Sequence, residues 1–94
     1  MSATINLMAA VPPHLRDGLA RYIRHGTPPG HFLRAVLEHE LFEAMARGDE
    51  ESRAGLFGLV SYIYNHAPIG CHGSPTRVAA WIEAGGFAGK DVTA

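Results

Sequence analysis

The sequence predicts an all-α fold, a small bundle of about four helices that assembles as a homo-oligomer. Proline and glycine cut the chain into four segments, each repeats its apolar residues with a helical period, and none shows the β-branched alternation of a strand. With 94 residues, 47% hydrophobic and 18% charged, the chain suffices for one core and lies far from the composition of disorder. One helical domain is therefore expected over 13–87, between an N-terminal segment at 1–12 and a flexible tail at 88–94.

The first helix follows Pro12-Pro13 and carries Leu15, Leu19, Tyr22 and Ile23 on one stripe until His25-Gly26 stops it. The second starts after Thr27-Pro28-Pro29-Gly30. Its apolar series Phe32, Leu33, Val36, Leu37, Leu41, Ala44 and Met45 runs without punctuation to Arg47-Gly48, which predicts the longest helix of the chain. In the third, Asp49 is the N-cap, with Glu50 and Glu51 at the positive end of the helix dipole. It continues through Leu56, Phe57, Leu59, Val60, Tyr62, Ile63 and Tyr64 to Asn65-His66-Ala67-Pro68. A helix so apolar on all sides exceeds what three neighbours can cover, so part of it is expected in a subunit interface. Gly55 and Gly58 inside it each cost up to about 1 kcal/mol relative to alanine unless a close approach needs them, and a second subunit is the expected neighbour. Ser74-Pro75 opens a short fourth helix with Val78, Trp81 and Ile82, closed by Gly85-Gly86.

Charge and cysteine usage exclude several function classes. A formal balance of −1 offers no global field for nucleic acid or an anionic membrane surface. That balance conceals a dipolar chain: through Leu37, four arginines face Asp17 alone (+3), and beyond it four basic residues face eight acids (−4). Cys71 is the single cysteine, so an intramolecular disulfide is impossible and a reducing cytoplasm fits. Neither a signal-peptide pattern nor an 18-residue apolar run is present, so no membrane association is expected.

Two glycine-bearing loops hold the chemistry. Gly26-Thr27-Pro28-Pro29-Gly30-His31-Phe32 feeds a helix start, where free N–H groups suit an anion, although a plain helix connection has the same composition. The loop from Asn65 to Pro75 again ends at a helix start, with Arg77 in the first turn; Ser74 serves there either as a cap or as a ligand to phosphate. Stacking surface for a base is expected from Tyr22, Phe32 and Tyr64, whose simpler meaning is core or interface. If the loops face each other, the ligand-binding set is Arg21, Tyr22, Arg24, Gly30, His31, Phe32, Tyr64, Asn65, His72, Gly73, Ser74 and Arg77. No metal, cofactor or catalytic residue is expected. His66, Cys71 and His72 lack zinc spacing, His39-Glu40-Leu41-Phe42-Glu43 replaces the second histidine of a zinc-protease motif, and the nucleotide and hydrolase fingerprints are missing.

The runs Leu19-Ala20-Arg21-Tyr22-Ile23, Pro29-Gly30-His31-Phe32-Leu33-Arg34-Ala35-Val36-Leu37, Tyr62-Ile63-Tyr64-Asn65, Gly73-Ser74-Pro75 and Ala80-Trp81-Ile82-Glu83-Ala84-Gly85-Gly86 resemble a family of small proteins from tailed phages and prophages, over roughly residues 13 to 87. The chain departs from that pattern at His39-Glu40, where something like Asn-Asp is usual. The family brings no assigned active site. What the resemblance implies is a viral accessory protein in the host cytoplasm that counters host defence, by sequestering a small nucleotide immune signal such as a cyclic dinucleotide or ADP-ribose derivative. The alternatives are a protein-blocking inhibitor such as an anti-CRISPR, for which the acidic Glu38, Glu40, Glu43, Glu50 and Glu51 would suit DNA mimicry, and a structural or regulatory phage accessory protein.

Overall fold

The computed structural model describes residues 8–87, which form six α-helices and two single 3₁₀ turns with no strand among the described residues. The helices are α1 (Pro13–His25), α2 (His31–Leu37), α3 (Leu41–Arg47), α4 (Glu50–Ala54), α5 (Leu56–His66) and α6 (Pro75–Ala84). The all-α class holds, but two of the four expected helices are broken. No described helix is long and apolar enough to cross a membrane. The predicted tail at 88–94 and the first seven residues of the predicted N-terminal segment lie outside the described residues.

The expected longest helix breaks at Glu38-His39-Glu40, leaving α1 as the longest. His39 takes a left-handed φ of 63°, and the amides of His39 and Glu40 return to the carbonyls of Val36 and Ala35. This is a Schellman ending with histidine where glycine is usual. Apolar period cannot reveal it, because Leu41, Ala44 and Met45 continue the stripe on the far side. Gly48 then lets the end of α3 close over Phe32: a Cβ there would meet the ring at 2.6 Å.

The expected third helix divides at Gly55 into α4 and α5. Asp49 caps α4 as predicted, its side chain accepting the Ser52 N–H at 2.8 Å. Gly55 and Gly58 do admit a close neighbour, and that neighbour is the chain's own N-terminal segment. A side chain at Gly55 would collide with the Pro12 ring, and one at Gly58 with the Ala10 carbonyl. The glycine pair therefore gives no support to a subunit interface. Val11 is 1% exposed in the core, and Arg16 holds this segment through the carbonyls of Val11 and Ala9, so residues 9–12 pack with the helices.

The core joins Leu19, Tyr22, Leu33, Leu37, Leu59, Ile63, Val78 and Trp81. Two buried polar tips tie it together. The Tyr22 hydroxyl donates to the Cys71 carbonyl at 2.6 Å, and the Trp81 indole N–H donates to the Tyr22 carbonyl at 2.9 Å. Helices α1 and α6 both end on left-handed glycines, Gly26 and Gly85, and these endings abut. A Cβ on Gly86 would lie 2.6 Å from the Gly26 nitrogen, so only glycine permits this docking.

Candidate functional site

The docking of the two helix ends positions a cavity of about 360 Å³ lined by Ala20, Arg21, Ile23, Arg24, His25, Tyr62 and Phe87. Arg21, Arg24 and His25 come from the last turns of α1, where positive charge complements the helix dipole. Tyr62 comes from α5. Phe87 follows the Gly85-Gly86 bend and stands edge-on to Trp81, with centroids 5.5 Å apart. Among the described residues, no carboxylate lines this cavity.

The state of the arginines distinguishes it from the rest of the surface. Arg34 pairs with Glu38 and Arg47 with Glu43, while Arg16, Arg53 and Arg77 donate to backbone carbonyls. Among the described residues, only the Arg21 and Arg24 guanidinium groups make neither a hydrogen bond nor an ion pair, and both are exposed. Tyr62 is buried, which pushes its hydroxyl above the usual phenol range, so it stays a neutral donor at physiological pH. Two unpaired guanidiniums, an imidazole and the half-exposed Phe87 ring, set beside the buried Tyr62, suit an anion attached to a flat apolar body.

The structure does not bring the two predicted loops together. Gly30 and His31 stand at the start of α2, whereas the second loop is fixed to the other end by the Gly73 N–H donating to the Leu37 carbonyl at 2.9 Å. Seven helical residues separate them by roughly 10 Å. Tyr22 has no exposed surface and Phe32 is 7% exposed, so neither offers a face for stacking. Ser74 spends its hydroxyl on the cap, accepting the Arg77 N–H, while Arg77 itself donates to the His72 carbonyl. Asn65 donates to the Ser61 carbonyl of its own helix.

Gly30, His31 and Phe32 line a separate cleft of about 570 Å³ with His14, Arg21 and Arg47, where Asp17 and Asp49 offset the charge of the two guanidiniums and Arg47 is already paired with Glu43. Tyr64 and His72 line an apolar hollow beside Val60 and His39. In that hollow the His39 Nε2 and His72 Nδ1 atoms lie 2.9 Å apart, so one imidazole donates to the other and at least one is neutral. Burial, His39 and Arg77 all push His72 below the usual histidine range. Of the twelve predicted residues, Arg21 and Arg24 alone line the basic cavity. His25, Tyr62 and Phe87 were missed. The spacing of Arg21 and Arg24 on one helix face was a readable signal; the contact between Gly26 and Gly85-Gly86 that brings Phe87 alongside was not.

Comparison with protein-family models, curated proteins and solved structures finds no match to this chain.

Proposed function

We propose that the protein is a non-catalytic binding protein that captures a small phosphorylated aromatic ligand of nucleotide type at the Arg21–Arg24 cavity. Together with the resemblance to small phage proteins, this reads as a phage-encoded protein that withdraws a nucleotide immune signal in the host cytoplasm. The observation that carries the proposal is the pair of guanidiniums which, among the described residues, have no partner and no carboxylate in the cavity, beside the half-exposed Phe87 ring. A volume of about 360 Å³ falls in the lower part of the range for small-molecule sites. It suits one nucleotide unit, with the rest of a larger ligand lying over α1.

The test is calorimetric titration with cyclic dinucleotides and ADP-ribose derivatives. A charge-assisted contact is worth about 1.5–3 kcal/mol, so Arg24→Ala and Arg21→Ala should each weaken binding by roughly ten- to a hundredfold. Arg77→Ala, remote from the cavity, should change it less than about twofold. Failure of the wild-type protein to bind any of these ligands, or an equal loss in Arg77→Ala, would remove the proposal.

A further inference from the structure

We infer that the face formed by α3 and α5 is covered by a second copy of this chain, packed about a two-fold axis. The face shares no lining residue with the Arg21–Arg24 cavity, so the inference stands apart from the proposed ligand.

Four side chains dominate it: Phe42 is 89% exposed, Phe57 84%, Tyr64 81% and Leu41 57%. Phe57, Val60 and Tyr64 follow one another at helical spacing along α5, and Leu41, Phe42 and Met45 form the neighbouring stripe on α3. A trough of about 220 Å³ joins the stripes, lined by Val36, Leu41, Ala44, Leu56 and Val60, with His39 and Glu40 at its polar edge. Aromatic side chains of this kind bury about 150–250 Å² each, so the three rings alone offer roughly 400–600 Å². Leu41, Met45 and Val60 bring the face close to the ~800 Å² per partner of a standard interface.

Three features select a second copy as the occupant. First, α5 contains no Asp, Glu, Lys or Arg from Leu56 to His66, the charge depletion and aromatic enrichment of a permanent interface core. Second, the face is self-complementary: the protruding Phe42 stands beside a trough with room for one aromatic side chain. A two-fold axis inserts each copy's Phe42 into the other's trough in a single operation, laying α3 of one against α5 of the other. Third, a net charge of −1 opposes self-association only weakly.

Light scattering coupled to size exclusion, on the full chain at about 10–100 μM, reads the outcome. Wild type should run at twice the 10.1 kDa chain mass. Phe42→Glu should run as the single chain with an unchanged circular dichroism spectrum, and Val60→Glu serves if Phe42→Glu fails to fold. Ile69→Glu replaces an equally exposed residue (82%) outside the face and should leave the dimer intact. A 10.1 kDa wild-type species overturns the inference and leaves the face to a different protein. So does association that survives both glutamate substitutions in the face, or that Ile69→Glu abolishes equally.

Discussion

Replacing Tyr22 by phenylalanine separates a core role from a ligand role at one position. The ring is 0% exposed, and its hydroxyl donates at 2.6 Å to the carbonyl of Cys71, a residue equally closed to solvent. Deleting the hydroxyl keeps the packing and leaves a buried acceptor without its donor, a loss of about 1–3 kcal/mol. In a chain of this size each kcal/mol moves the melting temperature by about 4–8 °C, so a central loss of about 2 kcal/mol lowers Tm by roughly 8–16 °C. Tyr22 does not line the Arg21–Arg24 cavity, so affinity for any ligand bound there should hold. Thermal unfolding followed at 222 nm, beside a ligand titration of the same variant, gives both readouts. A Tm within about 2 °C of wild type, or affinity lost while Tm holds, would show that the hydroxyl is not a buried donor in solution.

Two further perturbations test the packing around this contact. Burial pushes the Cys71 thiol up to about 12, so iodoacetamide at pH 8 should label it slowly in the native protein and at once in denaturant; fast native labelling would contradict the packing. Because a raised folded-state pKa means the folded chain holds its proton more tightly, the associated stability is complete below about pH 9 and declines as pH climbs toward 12, which denaturant titrations across that range should show. Gly86→Ala forces a left-handed φ of 69° on alanine and drives its methyl to 2.6 Å from the Gly26 nitrogen. The backbone cost alone is about 1–2 kcal/mol, so Tm should fall by at least about 4 °C, and an unchanged Tm would mean that the helix ends do not abut.

What the sequence discloses follows from where each physical cause lies along the chain. Caps and stops are local: Asp49 and Ser74 lie three residues from the amides they accept, and Gly26 and Gly85 end helices in the conformation only glycine adopts freely. All four are visible as letters. The choice of neighbour is not local. Gly55 and Gly58 announced that something approaches, but whether it was another subunit or Ala10 and Pro12 depended on how residues more than forty positions earlier return. Tyr22 and Phe32 were ambiguous for the same reason. An aromatic ring beside a loop serves equally as core or as stacking surface, and tertiary placement decides which.

The break at His39 shows the limit most clearly, because one non-local cause settles both the fold and the site. Nothing in Leu37-Glu38-His39-Glu40-Leu41 forbids a helix, and the left-handed backbone at His39 costs about 1–2 kcal/mol. The compensation comes from the second loop. Ending α2 at Leu37 frees its carbonyl for the Gly73 N–H, and turning the chain brings His39 within 2.9 Å of His72. The same turn leaves Leu41 and Phe42 on the surface, and it anchors the second loop at the end of α2 remote from Gly30. A continuous helix over 31–47 would hold the Leu37 carbonyl in its own hydrogen-bond ladder and leave Gly73 nothing to grip. The failed meeting of the two loops and the bared apolar face of α3 are therefore one event, its cause lying some thirty residues beyond the break.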